Sequence, residues 1–152
     1  LNSNRFATLA NGQEPIIIWN SNVNKLEERQ LNNQSVINSF DVFDNESLLI
    51  QLDTKTYLSN SSTSNKELFS LPGPKGNVIK QISNSLFAVG YENGKINIFS
   101  MIQIVKELTH GTSINDMKIS NENKLISTAE NSDEIKLWDV NTSNNFMNIS
   151  LD

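Results

Sequence analysis

His110 is the one side chain of the 152 residues whose ordinary pKa lies near neutrality. To act as a catalytic base it needs a positioned nucleophile or a metal, and no residue pairs with it at such a spacing. It is read instead as a structural histidine that ties its loop to the neighbouring sheet. The chain has no Cys, so thiolate metal sites, cysteine nucleophiles and disulfides are excluded together. Asp41, Asp44 and Glu46 form the densest acidic cluster, and Asp133 and Glu134 a smaller pair. A calcium loop wants oxygen ligands at alternating positions and a glycine for its sharp turn. Asp41-Val42-Phe43-Asp44-Asn45-Glu46 lacks that order and reads as a solvated turn. Leu71-Pro72-Gly73-Pro74-Lys75-Gly76-Asn77 combines rigid prolines with permissive glycines, which suits a connection between elements. It is not a phosphate loop, because the Gly-Lys-Ser/Thr ending is absent. Trp19 and Trp138 are expected to pack between elements with their indole N–H groups satisfied locally. No catalytic residue, metal site or cofactor is expected, and paired carboxylates of the glycosidase kind would have to come from separate elements.

The elements that hold these residues are short. Apolar clusters alternate with Asn, Ser, Asp and Gly; 24 Asn and 19 Ser occur in the chain. In the last third, runs over 113–119, 124–129, 134–140 and 145–149 are separated by small polar turns, which predicts four strands in a meander. The third run of that quartet recurs along the chain as Ile16-Ile17-Ile18-Trp19, Thr56-Tyr57-Leu58-Ser59, Ile96-Asn97-Ile98-Phe99 and Ile135-Lys136-Leu137-Trp138. These runs end at positions 19, 59, 99 and 138, spacings of 40, 40 and 39. First runs also match: Ile37-Asn38-Ser39-Phe40-Asp41-Val42 and Ile114-Asn115-Asp116-Met117-Lys118-Ile119 are apolar at first, fourth and sixth place. A strict period of two would give first, third and fifth, so one extra residue sits near each strand start, as in a β-bulge. A repeat of about 40 residues with four strands per unit predicts an all-β propeller. A β-sandwich has no reason to repeat its third strand at that interval. Asn24 to Leu31 is the nearest thing to a helix and fits better as the outer strand of the first unit.

Leu108 through Val140 resembles a WD-repeat. His110 precedes Ile114 by four residues, Ser127 or Thr128 lies in the second strand, Asp133 in the next turn, and Trp138-Asp139 closes the unit. The resemblance implies a hydrogen-bonded structural tetrad drawn from His110, Ser127, Thr128, Asp133 and Trp138. The sequence departs from the family in two places. Thr109 stands where a Gly is usual, with Gly111 displaced to the other side, and Ser132 stands where the turn Asp is usually counted. The other units carry the period without the motif: Phe99-Ser100, Ser59-Asn60 and Trp19-Asn20 end the third, second and first, and the first unit lacks its opening strand. Glu92-Asn93-Gly94 predicts a tight primed hairpin turn.

The resemblance implies about four blades, with boundaries near 1–33, 34–73, 74–109 and 110–152, within a propeller of seven. At seven, a blade spans about 51 degrees, so such an arc covers about half of a ring. Its two end faces would be apolar and in need of cover, from missing residues or from a second chain. The absence of an initiator Met also suggests a fragment. Loops from fourth to first strands and from second to third strands should share one rim. Ser35, Lys75, Glu92, Ser113 and Asn131 are the partner-binding candidates there. The net charge of −5, with only Arg5 and Arg29 as arginines, disfavours nucleic acid, and no apolar run is long enough for a membrane span. The expectation is a non-catalytic protein-interaction scaffold within a larger intracellular complex, cytoplasmic or nuclear, whose partners include the rest of the propeller. The alternative is a propeller that binds phosphoinositide headgroups at the membrane.

Overall fold

The computed structural model describes residues 5–9, 15–29, 36–44, 47–60, 66–70, 73–101, 103–120, 124–142 and 145–150. All of the regular structure among them is strand. Blade 1 holds β1 (Arg5–Thr8), β2 (Ile16–Asn20) and β3 (Lys25–Arg29), and blade 2 holds β4 (Ser39–Val42), β5 (Ser47–Gln51), β6 (Lys55–Asn60) and β7 (Lys66–Ser70). Blade 3 holds β8 (Gly76–Gln81), β9 (Leu86–Tyr91), β10 (Lys95–Ser100) and β11 (Ile104–Thr109). Blade 4 holds β12 (Ile114–Ile119), β13 (Lys124–Ala129), β14 (Glu134–Asp139) and β15 (Asn145–Ser150). Each sheet is an antiparallel meander in chain order. Among the described residues blade 1 has three strands.

Successive blades pack face to face. Ile16 and Ile18 of blade 1 meet Ile37, Leu48, Ile50 and Leu52 of blade 2. Leu49 of blade 2 meets Ile79, Phe87, Val89, Tyr91 and Phe99 of blade 3. The other face of blade 3, with Val78, Ala88, Ile96 and Ile98, meets Ile114, Met117, Leu125 and Trp138 of blade 4. A blade covered on both sides must be apolar on both, which is why Leu48-Leu49-Ile50 and Phe87-Ala88-Val89 are unbroken buried runs. The blade 2–3 seam carries a stacked Phe87–Phe99 pair with ring centroids 5.1 Å apart. Burial there pushes the pKa of the Tyr91 hydroxyl up to about 12, with the neighbouring Asn97 side chain pulling the other way. At the blade 3–4 seam Gly90 allows Ile114 to approach so closely that a Cβ would lie 2.6 Å from its Cγ2.

The first strands are neighbours across the seams, so they form the inner side of the arc. Of the two expected bulges, that of the 114–119 run is present in β12 with Asn115 as the extra residue, while β4 pairs without a register shift; β8 carries a further bulge at Asn77. In blade 2 the strand begins only at Ser39, and Asn38 precedes it, donating its backbone N–H to Gln51 O at 2.9 Å. One turn differs from expectation. Asn93 keeps a negative φ and only Gly94 is left-handed, at φ 80°, with its N–H donating to Tyr91 O. That is a type I turn followed by a left-handed glycine. The primed form needs both central residues at positive φ, and here Asn93 does not adopt it; the Gly94 backbone closes on Gly111 and Thr112, 2.7 Å from where a Cβ would stand.

The end faces are uncovered. Phe6 on β1 is 43% exposed, and Met147 and Ile149 on β15 are 48% and 44% exposed. The four sheets therefore form an open arc, not a closed ring.

Candidate functional site

Blade 4 brings His110, Ser127 and Trp138 together. Ser127 is fully buried on β13, and Trp138 on β14 donates its indole N–H to Ser127 Oγ at 2.9 Å. Ser127 Oγ lies 2.8 Å from His110 Nδ1. A hydroxyl that accepts from the indole has its own proton free, and donating it to Nδ1 satisfies both groups. The ring proton then sits on Nε2. That nitrogen is buried and has no hydrogen-bond partner among the described residues. Burial lowers the His110 pKa, and the Lys136 charge lowers it further; the main chain and carboxylate of Glu134 pull the other way without supplying a hydrogen bond of ordinary geometry. Lys136 Nζ donates to His110 O at 2.9 Å and stands 6.0 Å from the centroid of the Trp138 ring.

The remaining two tetrad candidates stand apart. Thr128 follows Ser127 on the strand and so lies on the opposite face, half-buried beside Ile135. Asp133 is exposed and gives no bond to the ring. The hydroxyl of Ser132, the residue before it, accepts the Glu134 backbone N–H at 3.2 Å. A related pair was missed in the sequence. Trp19 donates its indole N–H to Thr8 Oγ1 at 2.8 Å, across the same eleven-residue interval as Trp138 and Ser127. That interval was the available signal. Unlike Trp138, Trp19 is only half-buried, because it lies on the uncovered face of blade 1, stacked on Phe6.

The rim loops interlock. Lys75, in the linker from blade 2 to blade 3, donates its N–H to Glu92 Oε1 at 3.1 Å, and Glu92 N–H returns to Lys75 O at 2.9 Å. The linker also reaches blade 2, where Gly76 N–H donates to Asp53 O at 2.7 Å. Gly94, in the same hairpin as Glu92, accepts the His110 N–H at 2.8 Å, and Ser113 O accepts the Glu130 N–H at 2.8 Å. The hairpins of blades 3 and 4 are thus fastened to the linker entering their blade, and those of blades 2 and 3 to the linker leaving it. Asn131 caps the last hairpin in a left-handed conformation, φ 51°. Lys75, Glu92 and Asn131 are exposed, and Ser113 is half-buried because its hydroxyl accepts from Asn77 Nδ2 at 3.0 Å. Ser35 lies outside the described residues, as does Glu46. Asp53, Glu92, Glu130 and Asp133 outnumber Lys75 on these loops, so the rim is acidic.

Among the described residues neither acidic cluster gathers ligands. Asp41 accepts the Gln81 N–H at 2.8 Å and pairs with Lys80 at 3.4 Å, and Asp44 closes its own turn by accepting Ser47 N–H. Among the described residues no group of three or more His, Asp or Glu side chains is placed to hold a metal ion.

Sheets of this construction, stacked with their first strands inward, make the fold a β-propeller of the WD40 type, present as a partial ring. Neither a family model nor a curated protein sequence matches the chain. Among solved structures it is similar to the WD40 β-propeller domain of Doa1, at 10% identity and a TM-score of 0.82, with 99% of this chain and 52% of that one covered. It is also similar to the C-terminal WD40 domain of Sif2, at 16% identity and a TM-score of 0.77, covering 99% of this chain and 44% of that one. The chain therefore spans about half the length of these neighbours. At such identities the likeness is one of fold.

Proposed function

We propose that this chain is a non-catalytic interaction scaffold: part of a propeller that presents its loop rim to a protein partner within a larger intracellular assembly. The observation that carries the reading is the rim itself. Linkers and hairpins from three blades are bonded into one continuous, exposed and acidic surface, fixed by backbone contacts and free to vary in side chain. A rigid acidic surface suits a partner segment rich in Lys and Arg, with Lys75, Glu92 and Asn131 as first contacts. His110 is occupied with Ser127 inside blade 4, which leaves it no part in solvent-exposed chemistry. The lipid-headgroup alternative finds less support. Of the two arginines it would draw on, Arg29 is 5% exposed and engaged with Glu27 and with Ser59 O.

The experiment is co-purification from cells of origin, with mass spectrometry of stoichiometric partners. Asp133→Arg with Glu92→Arg should release the partner, while Glu107→Arg on an outer strand should not. Equal retention by all variants would defeat the rim as the binding surface. Flotation with vesicles containing anionic lipid would favour the membrane reading instead.

A further inference from the structure

The seams between blades repeat one contact. Asn38 Nδ2 donates to Gly76 O at 2.8 Å, and Asn77 Nδ2 donates to Ile114 O at 3.3 Å. Gly76 and Ile114 are equivalent, each being the last paired residue before the bulge of its inner strand. A bulge disrupts the local ladder and leaves the extra residue unpaired, which frees its side chain to reach sideways. Asn38, Asn77 and Asn115 are spaced by 39 and 38 residues. Asn115 is the bulged residue of β12, as Asn77 is of β8, yet its side chain is exposed and makes no side-chain hydrogen bond among the described residues.

A second set of contacts runs along the same strands. Ser39 Oγ accepts the Ile79 N–H at 3.2 Å and Asp41 Oδ2 accepts the Gln81 N–H at 2.8 Å, so one inner strand satisfies the open edge of the next. By register, Asp116 stands where Ser39 does and Lys118 where Asp41 does; both are exposed. Behind them, Ile126, Ile135, Leu137, Met147 and Ile149 share the same face of blade 4 through direct cross-strand pairing.

We infer that Asn115 is the unengaged third member of this series, and that the outward face of blade 4 takes a fifth blade following in the same polypeptide. Its inner strand would offer a pre-bulge carbonyl to Asn115 and a backbone N–H to Asp116. This rests on reading the chain as part of a larger propeller. The three seams present are all formed within one chain across linkers of four to nine residues, which favours this occupant. A second copy does not fit in register, because blade 1 has no inner strand among its described residues to supply the carbonyl.

The test compares Asn38→Ala, Asn77→Ala and Asn115→Ala in two chains: the 152 residues, and the same chain extended past Asp152 by a duplicate of residues 73–113. Asn38→Ala and Asn77→Ala should lower Tm by about 2–4 °C in both. Asn115→Ala should be silent in the shorter chain and cost the same few degrees in the extended one. Hydrogen exchange should show slowed amides in the added strands. The inference is overturned by a silent Asn77→Ala, by an Asn115→Ala loss in the shorter chain, by no loss in the extended chain, or by added strands without slowed exchange. Partner capture at the rim does not depend on Asn115, so the scaffold reading stands or falls separately.

Discussion

At the scale of single residues, the buried Nε2 of His110 is the feature with the clearest energetic consequence. An unpaired buried donor costs about 1–3 kcal/mol, and the WD-repeat that this stretch of sequence resembles carries an Asp where this chain has Ser132. Ser132 and the His110 ring both neighbour the Glu134 main chain, so Ser132→Asp should bring a carboxylate to Nε2 and stabilise the chain by about 1–2 kcal/mol in urea. The sign of the pH dependence should reverse with it. In the natural chain the His110 pKa is lowered, so the neutral ring contributes stability above its ordinary value of 6.5 that is lost as pH falls below it toward the folded value. With the new carboxylate beside the ring the folded pKa should rise, giving stability that is full below the ordinary value and lost as pH climbs through the raised one. Proton NMR titration of the imidazole reads this directly; an unmoved pKa in the variant would show that position 132 does not face the ring. His110, Ser127 and Trp138 were legible because their spacing follows a known repeat. The choice between Ser127 and Thr128 was not, since only strand phase decides which of two adjacent hydroxyls points inward.

At the scale of elements, the strands were legible from alternating apolar runs and polar turns, and the third strands from their interval of about 40 residues. Contacts between blades were not, because they join residues 30 or more positions apart with no pattern inside either strand. Arg29 is the example: it reads as a surface charge on an outer strand, but it is 5% exposed and bonds Glu27 Oε1 at 2.8 Å and Ser59 O at 2.9 Å across the first seam. Arg29→Met should cost about 2–3 kcal/mol, since it strands a carboxylate and a carbonyl. Lys95→Met, which removes only the exposed pair with Glu107, should cost less than about 1 kcal/mol. Equal losses in chemical denaturation would mean that Arg29 does not bridge the seam. Gly90 makes the second case. A methyl group there meets the fully buried Ile114, so Gly90→Ala should cost about 1–3 kcal/mol. Because Ile114 is the nearest obstacle, with Val78 Cγ1 next at 3.0 Å, Ile114→Ala should absorb part of that penalty. A double-mutant cycle with no coupling would place the strain elsewhere.

At the scale of the whole molecule, the arc behaves as a row of units that touch only their neighbours, so stability should vary along it. Blades 2 and 3 are covered on both faces: every residue of β5 is buried, as are all but the first of β9. Blades 1 and 4 are covered on one face only, leaving Phe6 at one end and Met147 and Ile149 at the other open to water. Among the described residues blade 1 also shows no inner strand, so its sheet has the fewest hydrogen-bonded pairs there. Local opening is cheapest where buried apolar contact is least. Native-state hydrogen exchange should therefore protect β5, β9 and β10 most, β12 to β14 less, and β1 to β3 least, with each of these three levels differing from the next by at least tenfold. A tenfold ratio corresponds to about 1.4 kcal/mol, near the transfer free energy of one large side chain left uncovered on an end face. Heating should melt the ends before the middle, giving a broad transition with different midpoints for Trp19 and Trp138 fluorescence, isolated by replacing either indole with Phe. A single sharp transition with equal protection in all four sheets would mean that the end faces are covered after all, by self-association or by a closure of the ring, and sedimentation at two concentrations would tell those apart.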